Sequence, residues 1–321
     1  MHTDLPAESD LSLVVESRED AAEGVIVLSL RNEAHAELPP WQPGAHIDLI
    51  LNNGLTRQYS LCGDPADRRR YRIGVLREPK SRGGSQHIHE QLFVGAQVQA
   101  RGPRNHFPLV PAQRYLFIAG GIGITPLIPM IAHANAAGTD WRLVFGGRSR
   151  ASMAFASALQ SLYPGRVDIH PQDETGLLKL ATLLQEPAEE AHVYCCGPEP
   201  LLAAVEEHCA AWTRNTLHVE RFAPKAASGP VVNAGFEVEL AESGKTLFVP
   251  ADKSILEVLQ ENGIEVLSAC CEGTCGTCET AVIEGAIEHR DSILTAAERA
   301  AQNTMMVCVS RGAGRRLVLR L

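Results

Sequence analysis

The hydrophobic rhythm of the chain changes twice along its length. From residue 10 to about 110, short apolar or alternating pieces are clearest at Ala45–Leu51, Arg57–Leu61, Tyr71–Leu76 and Ala96–Ala100. Turn residues separate them at Gly44, Asn53-Gly54, Gly63-Asp64 and Gly83-Gly84. Short, regular strands with little helix predict a small antiparallel β-barrel. From residue 113 to about 222 the pattern alternates. Strand-like Tyr115–Ala119, Arg142–Phe145, Val167–Ile169 and His192–Cys195 interleave with helix-like Leu127–Ala136, Ser152–Leu162, Gly176–Leu184 and Pro200–Ala211. That alternation predicts an α/β domain, a parallel sheet flanked by helices. Ala223–Ala234, reading APKAASGPVVNA, has linker composition. After it come strand-like Phe236–Leu240 and Thr246–Val249, a helix at Ser254–Asn262, and a run of cysteines. The expected division is multidomain: 1–110, 111–224, a linker at 225–234, and 235–321. No internal repeat is visible.

The length of 321 residues agrees with two or three cores. A formal charge of −9 argues against a nucleic-acid partner, which would want a basic face. No charge falls between Tyr115 and Thr139, a run long enough to cross a bilayer. Gly120, Gly121, Gly123, Pro126 and Pro129 interrupt it, so strand, glycine turn and helix are expected in place of a membrane span. Met1–Asp10 lacks a basic segment followed by an apolar one, so a cytoplasmic protein is expected. Of nine cysteines, five fall in the last third, four of those within nine residues. Clustering of that kind points to metal ligation rather than a disulfide framework.

Cys270, Cys275 and Cys278 follow C-x4-C-x2-C, with Cys308 as a distant fourth, the plant-type spacing for a [2Fe–2S] cluster. Ferric iron bridged by sulfide needs soft anionic ligands. Gly273 and Gly276 let the loop wrap tightly and aim N–H groups at sulfur. A zinc site would more often show paired C-x2-C knuckles, and only one exists here. Cys271 lies three residues from Cys275 instead of four and reads as a bystander.

Two further pairs of motifs carry chemistry. Arg57-Gln58-Tyr59-Ser60 puts Arg57 and Tyr59 on one face of a strand. A guanidinium there can grip a flavin phosphate, the tyrosine ring can lie on the isoalloxazine, and Ser60 can reach N5. A surface strand with one arginine is the competing reading. Arg82-Gly83-Gly84-Ser85, before a helix-like stretch, makes a second anion contact or a plain capped turn. Gly120-Gly121-Ile122-Gly123-Ile124-Thr125-Pro126 directly follows a strand. Its backbone can face a pyrophosphate, with Thr125 reaching toward the cofactor, although it lacks the G-x-G-x-x-G fingerprint. Cys196-Gly197-Pro198 closes the last strand of the same unit, and Cys196 then lies beside a nicotinamide or is a buried strand-end thiol.

R-x-Y-S, R-G-G-S, G-G-I-G-I-T-P, C-C-G-P and C-x4-C-x2-C, with His289-Arg290-Asp291 and Val307–Arg311, together resemble the phthalate dioxygenase reductase and vanillate O-demethylase reductase family, within the ferredoxin–NADP reductase superfamily. The resemblance covers nearly the whole chain. It implies a flavin barrel, a nucleotide domain and a C-terminal α+β, β-grasp-like ferredoxin. It implies FMN, held by Arg57, Tyr59, Ser60, Arg82, Gly84 and Ser85. NADH or NADPH would be positioned by Gly120, Gly121, Gly123, Thr125, Cys196, Gly197 and Pro198, with Ser60, Thr125 and Cys196 at the reacting centre. Phe222 would pack near the flavin ring, or simply end the last strand as a core aromatic. Cys271 departs from the family pattern, where an acidic residue is usual.

The implied activity is hydride transfer to FMN, then single-electron transfer through the cluster to a Rieske-type oxygenase. A reductase for a diiron monooxygenase and a non-catalytic redox carrier are the alternatives. The first usually has its ferredoxin at the N-terminus, and the second leaves the first 220 residues unexplained. Arg148-Ser149-Arg150 follows the second strand of the nucleotide domain, where a 2′-phosphate would lie. The resemblance nevertheless favours NADH. Residues 233–321 carry 13 Asp/Glu and 8 Lys/Arg, a balance of −5, so an acidic docking face is expected. A monomer is expected.

Overall fold

The computed structural model describes residues 9–79, 83–185, 191–210, 212, 216–225 and 233–321. It divides into two compact units, Met1–Glu220 and Arg221–Leu321. The first contains two lobes with separate apolar cores.

The first lobe is antiparallel: β1 (Ser9–Ala22), β2 (Val25–Asn32), β3 (His46–Ile50), β4 (Thr56–Ser60), β5 (Arg70–Leu76) and β6 (Gln97–Arg104), in the order β4-β3-β6-β1-β2-β5. A bridge between Leu61 and Ile73 joins the two edges and closes the barrel. Leu28, Leu30, Ile47, Leu49, Tyr71 and Ile73 fill its interior. Helix α1 (Gly84–Gln91) lies between β5 and β6 in sequence. The sequence pattern did not single out β1 and β2. Register shifts between Val15 and Ser17 and between Asp20 and Ala22 break the two-residue alternation of β1.

The second lobe is a five-stranded parallel sheet. Its elements are β7 (Arg114–Gly120), α2 (Leu127–Ala136), β8 (Asp140–Gly147), α3 (Ala156–Leu162), β9 (Val167–Pro171), α4 (Gln172–Thr175), α5 (Leu180–Leu183), β10 (Ala191–Cys196), α6 (Glu199–His208) and β11 (Leu217–Glu220). The order β11-β10-β7-β8-β9 reverses direction between β7 and β10. In open α/β sheets that switch point is where ligands bind. The uncharged run from Tyr115 resolves into β7, a 3-10 turn at Gly121–Ile124 and α2. No helix among the described residues is long and apolar enough to cross a membrane.

Two helices are shorter than the pattern predicts. Phe155 takes a left-handed φ of 68°, so helix begins only at Ala156 rather than Ser152. Over 176–184 there is a single turn, α5, because Gly176 and Lys179 leave the helical region.

The second unit is α+β: β12 (Phe236–Leu240), β13 (Thr246–Val249), α7 (Ile255–Glu261), β14 (Glu279–Glu284), β15 (Ile287–Glu288), α8 (Ala296–Ala301), β16 (Thr304–Met306), β17 (Arg311–Gly312) and β18 (Arg316–Leu319). The main sheet runs β13-β12-β18-β14-β16, with β12 and β18 parallel. Ser254 and Glu257 form a reciprocal capping box that starts α7. That helix buries Ile255, Leu256, Val258 and Leu259 in the core of the unit, each contributing about 1.5–3 kcal/mol. The linker expected at 225–234 falls mostly on residues 226–232, outside the described residues.

Candidate functional site

The barrel supplies one half of the site in the first unit. Pairing of β3 with β4 aligns Ile47 with Tyr59 and His46 with Ser60. The Arg57 side chain crosses directly over Gly84 at the start of α1. A Cβ on that glycine would lie 2.5 Å from Arg57 Nε and 2.6 Å from Cγ, so only glycine admits the arginine there. This contact brings R-x-Y-S and R-G-G-S together. Arg57 Nη1 also donates to the Thr56 carbonyl at 2.8 Å, and Ser85 Oγ accepts from the Glu78 N–H at 3.1 Å. Tyr59 packs against the barrel core, and burial pushes its phenol pKa up. Arg82 lies outside the described residues. A guanidinium fixed over a helix N-terminus fits a flavin phosphate.

The parallel sheet supplies the other half. The glycine turns after β7 and β10 pack backbone against backbone at the switch point. A Cβ on Gly123 would stand 2.3 Å from the Cys196 carbonyl oxygen, and one on Gly197 would stand 2.9 Å from Gly120 Cα. Gly121 takes a φ of 54° as the chain turns out of β7, and Pro198 caps α6. Thr125 is buried. Its hydroxyl donates to the Ile122 carbonyl at 3.0 Å, and its methyl meets Gly74 of β5. The barrel thereby rests on the first turn of the nucleotide lobe. Bare backbone at the ends of β7 and β10 fits a dinucleotide.

Between these halves a carboxylate joins the expected residues. Glu220, which ends β11, faces Cys196 across the strand pair and hydrogen-bonds Ser60 from the barrel. Cys196 Sγ donates to Glu220 Oε2 at 3.8 Å. Burial raises the Glu220 pKa from 4.5 to about 8, against the hydrogen bonds from Cys196 and Ser60, which lower it. The shift favours the protonated form of this carboxyl near neutral pH. Cys196 is fully buried, and burial, then the Glu220 charge, pushes its thiol well above its ordinary value of 9.0. It is a neutral hydrogen-bond donor rather than a nucleophile. Sequence reasoning missed Glu220. Its signal was a single carboxylate closing the strand Leu217–Glu220, two strand positions after His218.

The second unit holds the cysteines. Cys278 immediately precedes β14 and Cys308 follows β16. Pairing of Glu279 with Met306 brings them together across 30 positions of sequence. The Val307 N–H donates to the Cys278 carbonyl at 3.4 Å. Cys270 makes sulfur–sulfur contacts with Cys275 and Cys308, and Cys278 with Cys308. Hydrogen bonds from these neighbouring thiols draw Cys270 and Cys278 toward the thiolate and hold Cys275 and Cys308 as thiols. N–H groups of Glu272 and Thr274 point at Cys270 Sγ at 3.3 and 3.4 Å, and that of Thr277 at Cys275 Sγ at 3.4 Å. Cys271 is exposed, with a φ of 54°, and takes no part in these contacts. Among the described residues there is no group of three or more His, Cys, Asp or Glu side chains shaped for a single metal ion. Four thiols joined through these three contacts, two of them receiving N–H groups, fit a sulfide-bridged cluster.

Asp291, of His289-Arg290-Asp291, fastens this loop. Its Oδ2 accepts from the Ile293 and Leu294 N–H groups at 3.2 and 2.9 Å, while the next residue's N–H donates to the Gly273 carbonyl at 2.8 Å. Phe222 has 47% of its surface exposed, which removes the core-aromatic reading.

A 2Fe-2S iron-sulfur cluster binding domain model matches residues 238–311, and an oxidoreductase NAD-binding domain model matches residues 117–207. The chain is 45% identical over 313 residues to phenoxybenzoate dioxygenase subunit beta of Ectopseudomonas oleovorans, covering 97% of each. It is 36% identical to the solved phthalate dioxygenase reductase, described as a modular structure for electron transfer from pyridine nucleotides to [2Fe-2S]. That match has a TM-score of 0.72 and covers 98% of both chains. The chain belongs to the phthalate dioxygenase reductase family. This reductase is an oxidoreductase in which a nucleotide-binding lobe and an iron–sulfur unit share one polypeptide. It is also 44% identical, at TM-score 0.91, to part of an intact type IV self-sufficient cytochrome P450 monooxygenase, where it covers 97% of its own length and 41% of the other chain.

Proposed function

We propose that this reductase takes a hydride from NADH onto FMN and passes the electrons singly through a [2Fe–2S] cluster to a separate Rieske-type oxygenase. The observation that carries this reading is the meeting of Ser60, Glu220 and Cys196, where a barrel strand abuts the switch point of the nucleotide sheet. FMN supplies the one chemistry the pathway needs, accepting two electrons together and releasing them one at a time.

Arg57, with Gly84 and Ser85 at the start of α1, grips its phosphate, Arg82 of the same motif is proposed as a further contact, and Tyr59 presents its ring. Gly120, Gly121, Gly123, Gly197 and Pro198 keep side chains away from the nucleotide, and Thr125 stiffens that turn. Cys196 offers a neutral thiol, and Glu220 holds the Ser60 hydroxyl by a hydrogen bond beside the reacting centre. Phe222 is the aromatic proposed for the flavin ring, on the strength of its exposure and its place two residues after Glu220. Cys270, Cys275, Cys278 and Cys308 ligate the cluster. The reductase acts as a monomer in the cytoplasm.

A haem acceptor is the second reading. The similarity to part of a self-sufficient P450 favours it. Absorbance under argon before and after NADH tests the internal pathway: flavin and cluster bands should bleach together. Flavin bleaching alone would sink the coupled-cluster reading. Mixing the NADH-reduced protein with a Rieske oxygenase or with a P450, and following which is reduced, separates the two acceptors.

A further inference from the structure

The turn that follows β8 reads Arg148-Ser149-Arg150, and the turn that follows β9 carries Asp173 and Glu174. β8 and β9 are neighbours, paired up to Gly147 and Pro171, so the turns emerge side by side at the C-terminal edge of the sheet. Arg150 meets Glu174 as a fork: Nη2 donates to Oε2 at 2.8 Å and Nε to Oε1 at 3.2 Å. The Asp173 N–H donates to the Arg148 carbonyl at 3.2 Å, which ties the two turns by backbone as well. Ser149 is committed to a reciprocal capping box with Ser152. Arg148 is exposed, with no ion-pair or hydrogen-bond partner for its guanidinium among the described residues.

We propose that Glu174, through its fork with Arg150, makes this protein select NADH over NADPH. The inference rests on the nucleotide reading given above. In an open α/β sheet the adenosine ribose lies beyond the end of the second strand of the unit, here β8. The two cofactors differ there only in a 2′-phosphate, which carries roughly −1.5 to −2 charges at neutral pH, like other phosphomonoesters. Two free arginines would bind it strongly. Here Arg148 and Arg150 are balanced by Asp173 and Glu174, so the four charges sum to zero. The guanidinium fork best shaped for phosphate is already filled by a carboxylate.

The pair is about half exposed on both sides, with side-chain exposures of 53% and 46%. Exposed pairs are weak, so separating it costs little. Discrimination therefore comes mainly from the negative charge that Glu174 places beside an incoming phosphate. Such an effect is moderate and falls with ionic strength.

The test is calorimetric binding of 5′-AMP and of adenosine 2′,5′-bisphosphate to the full chain, as wild type, Glu174→Gln and Arg148→Gln. Steady-state use of NADH and NADPH is read alongside. Wild type should favour 5′-AMP. Glu174→Gln should shift the affinity ratio roughly three- to fivefold toward the bisphosphate, and less in high salt. Arg148→Gln should shift it the other way. An unchanged ratio in Glu174→Gln, or a wild type that prefers the bisphosphate, overturns the proposal while leaving the nucleotide site standing. Failure of either ligand to bind overturns the nucleotide reading and this proposal with it.

Discussion

The cluster loop is made of side chains: four thiols linked in a chain of three contacts, reached by a few N–H groups and fastened by Asp291. The site at the ends of β7 and β10 is made mostly of absence. Glycines let one turn lie against another, and a lone carboxylate enters from a neighbouring strand. The first kind of site depends on ligand identity and the second on how closely backbones approach. The two should therefore fail differently. Removing an atom from the cluster loop should disable that loop alone, whereas adding an atom to the nucleotide turns should disable everything downstream of NADH.

The largest effect is expected for Cys275→Ser. Loss of this proposed ligand should exceed the roughly 10–100-fold penalty typical of a group supporting a ligand. NADH-driven reduction of an oxygenase should fall to background and the cluster's electron paramagnetic resonance signal should vanish, while ferricyanide reduction through the flavin persists. Loss of both activities would count against separable sites. Next comes Gly123→Ala. Its new methyl would stand 2.3 Å from the Cys196 carbonyl oxygen, and backbone cannot yield cheaply. A displacement of this size at a reacting centre costs about 100-fold, so both NADH-driven activities should drop together. The dithionite-reduced cluster should keep its resonance signal, and a variant with wild-type NADH turnover would refute the close-approach argument.

Smallest is Glu220→Gln, read through stability. The folded pKa of about 8 exceeds the ordinary 4.5, so the folded protein holds this proton more tightly than the unfolded chain does. The resulting stability is complete below about pH 4.5, declines as pH rises, and is gone above about 8. Wild type should therefore lose melting temperature relative to Glu220→Gln across that window, by roughly a few degrees, then run parallel to it. Parallel curves throughout would mean that Glu220 is ordinarily acidic.

The same contrast explains what the sequence could disclose. Thiol chemistry is rare and its spacing is specific, so Cys270, Cys275, Cys278 and Cys308 stand out unaided. Leu127–Ala136 is legible too, because the proline before it and an apolar face bound a single helix. Glu220 is not legible: one acidic residue ending a four-residue strand looks like solvent-facing punctuation until β10 is laid beside it. The dependence of Gly84 on Arg57 is hidden for a similar reason, since 27 positions separate partners that only the fold makes adjacent. β1 escaped because its bulges swap the buried face partway along. The helix expected from Gly176 to Leu184 has the composition but not the backbone, which leaves the helical region at both Gly176 and Lys179.

Pairing of β14 with β16 also bears on how iron is taken up. Cys278 and Cys308 flank a strand ladder and are positioned as soon as the sheet forms. Cys270 and Cys275 ride on a loop held by turns. Ordering a residue's backbone costs about 1–2 kcal/mol. For Cys278 and Cys308 that cost is borne by sheet formation, and for Cys270 and Cys275, under the proposed ligation, it falls on metal capture. The proposed cluster would thus meet one pair of thiols set by a strand ladder and another set by turns.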